Sequence, residues 1–362
     1  MLITEKSKQI AQHYVTSSIF SSKVLVKWLA IASLVGVIVG AIAACFGHAL
    51  IAVNNFRAAH PMIILGLPFA GMLIVFLYRY FKDQNDRGTN MVIASIHSST
   101  GIPFRMAPLI FATTVITHLF GGSAGREGAA IQLGGSIANR MGKKMKLNQN
   151  DQHIIVMCGM SAGFSALFGT PMAATLFSLE VISVGIMHYS ALVPCVTASM
   201  IAHFVADFMK MPPEVFPVMA VPEIGAALFF KAVAMGALFG ACSIVFCMIM
   251  HQTEHLLAHY LKNAYVKIFA SGCMILVLCG LLGSDLYLGS GMGIIEHIFH
   301  EDETEPFAFL LKMIFTALTI GAGFKGGEIV PSLTIGAALG CVIALLFGFD
   351  VSLAAAMGMI GV

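Results

Sequence analysis

The chain has 362 residues, of which 58% are hydrophobic and only 10% charged, with a net charge of +2. Soluble domains carry about 25% charged residues, so the polar surface that a water-soluble domain of this length needs is missing. Disorder, a collagen-like fibre and a nucleic-acid-binding module are excluded by the same numbers.

Residues 1–23 read as a cytoplasmic segment. Glu5, Lys6, Lys8 and Lys23 stand among polar residues, with no short apolar core leading to a small-residue cleavage site. Apolar runs long enough to cross a hydrocarbon core of about 30 Å cover 24–52, 61–80, 183–207, 224–250 and 266–289. The stretches 106–121, 128–142, 153–180, 306–323 and 332–348 are shorter or are interrupted by GGSAGREG, GTP and GAGFKGGE. Broken backbone at membrane depth is tolerated only where protein or a water-filled cavity satisfies its amides, so these breaks are expected to point inward. Basic clusters at Lys6, Lys8, Lys23 and Lys27, at Arg79, Lys82 and Arg87, and at Arg140, Lys143, Lys144 and Lys146 are separated by even numbers of crossings. Under the positive-inside rule all three face the cytoplasm. The expectation is an all-α, multi-pass protein of the bacterial inner membrane with its N-terminus in the cytoplasm.

The chain also repeats itself. DQHIIVMCGMSAG from Asp151 matches DVSLAAAMGMIGV from Asp350, an offset of 199 that also carries the break at Gly125 onto Phe324 and the first span onto the one opening near 223. The expected organisation is a first transmembrane repeat at 24–210, a proline-rich linker at 211–223 and a second repeat at 224–362, with the site at their interface. Residues 164–208 find no counterpart in the second half, so that half is expected to be truncated. The eight cysteines all lie in apolar runs without a CxxC pair, and the thirteen histidines are scattered along the chain. No metal, disulfide framework or cofactor is expected, and His118 reads as a core histidine.

The chemistry concentrates in the breaks. GGSAGREGAAIQLGG sets Arg126 and Glu127 at a helix start, where Gly125 and Gly128 permit close backbone approach and the free amides with the positive end of the helix dipole attract an anion. An ionised carboxylate there occupies the anion position itself and leaves when protonated; the alternative is a buried Arg126–Glu127 pair that only staples helices. GAGFKGGEIVPSLTIGAALG repeats the design with Gly327, Glu328, Ile329 and Val330 at a second helix start, where Glu328 is either a site residue or a plain N-terminal carboxylate. Gly88, Thr89 and Asn90, between a basic turn and an apolar run, form a third candidate that also reads as a simple N-cap.

The strings GSAGREGAAIQLGG, GFSALFGTPMAATLFSLE and GFKGGEIVPSLTIGAALG resemble, in order along nearly the whole chain, the signatures of the CLC family of chloride channels and proton-coupled anion antiporters. The resemblance implies a homodimer of inverted-repeat subunits, each with its own halide pathway, and it matches Glu127 to the gating glutamate that carries a proton. FKGGE and RMAPLIF are similar to the fluoride-exporting branch. Thr89 and Val330 depart from that branch, which has methionine and threonine there. The inner proton-relay glutamate of chloride antiporters corresponds to Val181, beside Glu180, and is therefore missing in its usual form. The resulting expectation is proton-coupled fluoride or chloride antiport by a transporter and not an enzyme. Its anion-binding set is Gly88, Thr89, Asn90, Arg126, Gly128, Gly327, Glu328, Ile329 and Val330, with Glu127 as gate. A passive chloride channel or a truncated chain without transport are the alternatives.

Overall fold

The computed structural model describes residues 2–81, 92, 102–182, 187–219, 222–223, 225–301 and 303–362, with side chains described from residue 22 onward. Among the described residues it is helical without a strand. The α-helices are α1 (Leu2–Ala59), α2 (Leu67–Tyr80), α3 (Met106–Leu119), α4 (Glu127–Lys144), α5 (Gln149–Phe168), α6 (Pro171–Glu180) and α7 (Leu192–Phe208). They continue with α8 (Ala226–Tyr260), α9 (Ala264–Leu282), α10 (Met292–Glu301), α11 (Ala308–Ala322), α12 (Ile329–Phe347) and α13 (Val351–Gly361). Among the described residues, six stretches are long and apolar enough to cross a membrane: Ser22–Ala59, Pro61–Tyr80, Tyr189–Phe208, Ala226–Tyr260, Ala264–Leu282 and Ile329–Phe347. The last lies in a stretch read from sequence as short or broken; its glycines do not interrupt it, because they are packing contacts inside one continuous helix. The run read as 153–180 and interrupted by GTP divides there, at Gly169 in the left-handed conformation (φ 71°) followed by Pro171 in the first turn of α6. This is the usual stop and start chemistry of helices.

The chain forms two compact units. The first takes Met1–Ala44, Val92–Phe104 and Leu133–Pro212, and the second Cys45–Met91, Arg105–Gln132 and Pro213–Val362. In the first, Gly36 and Gly40 of α1 let the backbone of α7 approach so closely that a Cβ on Gly36 would stand 2.7 Å from Ala198 O and one on Gly40 2.8 Å from Ala202 Cα. α4 and α5 cross where Gly134 and Gly159 face each other backbone to backbone. Membrane helices gain nothing from exchanging lipid for apolar side chains, and small residues that permit close van der Waals contact hold them instead. Hydroxyls supplement this: Ser165 Oγ donates to Ser199 O at 2.8 Å, and Thr175 Oγ1 pairs with Ser199 Oγ at 2.9 Å. In the second unit, Gly336 and Gly340 of α12 meet Gly358 and Ala354 of α13 in the same way, and Gly272 of α9 meets Pro68 of α2. Its core gathers Leu67, Ile268, Tyr287, Ile298, Phe315 and Phe324. Large apolar side chains such as Phe229, Phe230, Leu281 and Leu345 are exposed, the surface that lipid requires.

Helix starts correct the register of the repeat. Met106 and Ala308 open α3 and α11, Glu127 and Ile329 open α4 and α12, and Gln149 and Val351 open α5 and α13, each pair 202 residues apart and not 199. Asn148 and Asp350 are the N-caps of the last pair, accepting from Asp151 N and from Ser352 N. Asp350 therefore corresponds to Asn148, and Asp151 lies one turn into its helix. A slip of three residues is close to the 3.6-residue helical turn, so it preserves the glycine face and goes unseen in the sequence match.

Gly159→Leu is expected to lower the melting temperature in detergent, since a side chain there meets Gly134 O and Ala138 Cβ and overpacking costs about 1–3 kcal/mol. Gly240→Ala, in α8 with nothing near its Cβ position, is expected to leave it unchanged or raise it. Equal melting of Gly159→Leu and the parent would remove the close crossing from the stability of the fold.

Candidate anion and proton site

Two loops of the second unit build the site from its backbone. Residues 121–126 lead from α3 to α4, and residues 323–328 lead from α11 to α12. Each opens on a left-handed glycine, Gly121 at φ 84° and Gly323 at φ 109°, a conformation that a Cβ would strain. Gly125 N–H donates to Gly327 O at 2.7 Å, and Gly327 N–H donates to Gly125 O at 2.9 Å. Behind this bridge, Ser123 N–H donates to Thr319 Oγ1 at 3.0 Å and Lys325 N–H to Thr117 Oγ1 at 3.3 Å. Exchanging every residue for its partner 202 positions away turns each bond into the other member of its pair. The loops are thus related by a local two-fold, the self-complementary arrangement familiar from isologous interfaces.

The symmetric scaffold carries asymmetric chemistry. Glu127 begins α4 where Ile329 begins α12, and its side chain is fully buried. Glu127 Oε1 accepts Ile329 N–H at 2.5 Å, and the backbone amides of Arg126 and Val330 also interact with the carboxylate. Oε2 has no hydrogen-bond partner among the described residues. The carboxylate is seated against bare backbone: a Cβ on Gly125 would overlap its oxygens, and one on Gly327 would overlap Oε1. The first amides of a helix have no intrahelical acceptor, so a negative group here takes the place that an anion would take.

The other sequence candidates divide. Ile329 and Val330 contribute amides, and Gly128 N lies 2.8 Å from where a Cβ on Gly327 would stand. Gly327 contributes space and not a donor, because its amide is engaged by Gly125 O. The Arg126 guanidinium forms an ion pair with Glu214, a partner outside the sequence reading, and Glu127 lies within its electrostatic range as well. Glu328 lines a cavity of about 510 Å³ together with Ser243, His251, Glu254, Ile329 and Ser332. Gly88, Thr89 and Asn90 lie outside the described residues. His118 is buried, with Nε2 placed 3.4 Å from Gly125 O, and its own carbonyl accepts Arg57 Nη1 at 2.9 Å. Sequence reading missed the threonine pair Thr117 and Thr319, and Lys312 beside Ser123; the corrected offset of 202 would have aligned both threonines.

Comparison with known proteins places this geometry. The family described as voltage gated chloride channel matches residues 70–362. A chloride/fluoride channel protein of Pseudomonas syringae pv. tomato is 36% identical over 345 residues, covering 93% of this chain and 76% of that protein. The H(+)/Cl(-) exchange transporter ClcA of Yersinia pestis bv. Antiqua is 22% identical over 338 residues, covering 88% and 71%. Among solved structures, a CLC-type fluoride/proton antiporter superposes with a TM-score of 0.89 at 34% identity, over 92% of this chain and 85% of that one. A slow cyanobacterial Cl-/H+ antiporter shares the fold, with a TM-score of 0.75 at 20% identity over 92% and 84%. With its paired broken loops, buried helix-start glutamate and membrane-crossing helices, the chain belongs to the CLC family of anion transporters and channels and is an integral membrane protein.

Proposed function

We propose that the protein exchanges fluoride for protons, with Glu127 as gate and proton carrier. The observation that carries this reading is the Glu127 carboxylate held at the N-termini of α4 and α12, where Ile329 N–H donates to it. Ionised, it competes with the anion for the same amides; protonated, it loses that attraction and yields the place. One group thereby couples two fluxes. The amides of Gly128, Ile329 and Val330 would hold the anion once the carboxylate has left. Fluoride is preferred because the relative and the structural neighbour of highest identity named above carry fluoride in their descriptions. A homodimer in the bacterial inner membrane, with a cytoplasmic N-terminus, completes the proposal.

Purified protein in liposomes tests it. A fluoride gradient should drive protons against their own gradient, and chloride at equal concentration should drive fewer. Halide flux that moves no protons would favour a passive channel, and stronger coupling to chloride would reassign the substrate. Glu328 offers a sharper check. Lining a cavity beside Ile329, it assists a strongly hydrated anion only as a protonated O–H donor. Glu328→Ala is expected to lower the ratio of fluoride to chloride flux severalfold, and an unchanged ratio would remove Glu328 from selectivity.

A further inference from the structure

We infer that Lys312 of α11 is a fixed positive charge of the anion pathway, which raises the affinity for the entering anion and is not needed to hold the loops together. Its side chain is fully buried. Nζ donates to Ser123 Oγ at 2.9 Å, Gly289 O at 2.8 Å and Tyr287 O at 3.1 Å. All three acceptors are neutral, and among the described residues no carboxylate pairs with it. Burying an ammonium in a membrane protein is costly, and such groups usually face one another or a pathway. Here the three hydrogen bonds satisfy the geometry of the ammonium and leave its charge unbalanced.

The local two-fold separates charge from scaffolding. The residue related to Lys312 by the offset of 202 is Ile110, equally buried. The loop on the Ile110 side, residues 323–328, is held by Thr117 Oγ1 and by the bridge to Gly125, just as residues 121–126 are held by Thr319 Oγ1 and the bridge to Gly327. An aliphatic residue therefore suffices to support this kind of loop, so scaffolding alone does not account for the cation. The charge stands on the side that carries Glu127 and not on the side that carries Ile329. Other charges around it do not cancel it. Arg57 adds a second cation, with Nη1 on His118 O and Asp285 within electrostatic range, while Arg126 is paired with Glu214. His118 lies within electrostatic range of Arg57, Arg126 and Lys312 together. Once Glu127 has yielded its place, the arriving anion supplies the negative charge. A fixed cation in a low-dielectric wall raises the local anion concentration and holds the anion more tightly.

The test replaces Lys312 by the residue of its symmetry mate. Lys312→Ile in the full chain, reconstituted in liposomes, is expected to raise the KM for fluoride about tenfold while the maximal rate stays within about twofold, the signature of lost binding and not of lost turnover. Lys312→Arg, which keeps the charge, should restore the KM to within a few fold of the parent. Should Lys312→Ile not elute as the parent does in detergent, Lys312→Gln, with a polar end for Gly289 O, carries the same expectation. A parental KM in the uncharged variant, or an equal loss in Lys312→Arg and the uncharged variant, would overturn the inference. It rests on anion transport and not on the choice of halide: a chain that prefers chloride tests it through the chloride KM, so failure of the fluoride reading is distinguishable from failure of this one.

Discussion

Glu127→Gln is expected to carry halide down its gradient without moving protons. The glutamine amide keeps the size of the side chain and its fit against Gly125 and Gly327, and removes both the charge and the titration. In the parent, the carboxylate accepts Ile329 N–H at 2.5 Å and has a second oxygen without a partner among the described residues, so an ionised Glu127 would sit on helix-start amides that suit an anion. A neutral amide competes poorly for the same donors. Halide flux should therefore continue, proton pumping should fall to background, and the dependence of flux on pH that the parent owes to this group should flatten. Parallel records of fluoride efflux and external pH from liposomes measure both quantities on one sample. Proton pumping at the parental ratio in Glu127→Gln would exclude this residue as the carrier.

Gly327→Ala tests the seat of the same carboxylate from the opposite loop. Its expected effect is as large because a single methyl would overlap Glu127 Oε1. The backbone bridge to Gly125 leaves little room for the loop to yield, since both of its hydrogen bonds would have to lengthen. The side chain of Glu127 is the softer element and should be expelled, which leaves the amides open and degrades coupling by about tenfold or more, an energy near 1.4 kcal/mol. The discriminating experiment is a double-mutant cycle with Glu127→Ala. With no carboxylate to displace, Gly327→Ala should then add almost nothing to the loss of coupling or to the halide rate. Additive losses in the double variant would mean that the alanine damages the loop itself, and the seat would no longer explain the glycine.

Asymmetry within a repeated frame would give these residues the roles proposed for them. Thr117 and Thr319 serve both loops alike, and a two-fold scaffold of this kind has no preferred direction. Glu127 facing Ile329, and Lys312 where the other half has Ile110, break that equivalence at two points.

Much of this was legible in the chain. Low charge and long apolar runs require a membrane protein because unpaired polar backbone is untenable in hydrocarbon. The glycines of GSAGREG and GFKGGE identify the broken helix starts because the constraint at each is local, a left-handed φ or a missing Cβ. That Glu127 opens a helix followed from its own neighbours for the same reason. The register of the repeat did not, since a three-residue slip keeps a helical face nearly in place, and helix starts fixed by caps were needed to resolve 202 from 199. Nor did the partner of Arg126, because Glu214 lies 88 positions away and opposite charges in a sequence do not declare which pairs close. Lys312 stands in an apolar run whose neighbours give no sign of its surroundings. Only the folded chain brings it to Ser123, Tyr287 and Gly289, and only there does its burial, with no carboxylate paired to it among the described residues, become visible. Local chemistry is written in adjacent residues, whereas electrostatics and loop pairing depend on distances that tertiary contacts alone determine.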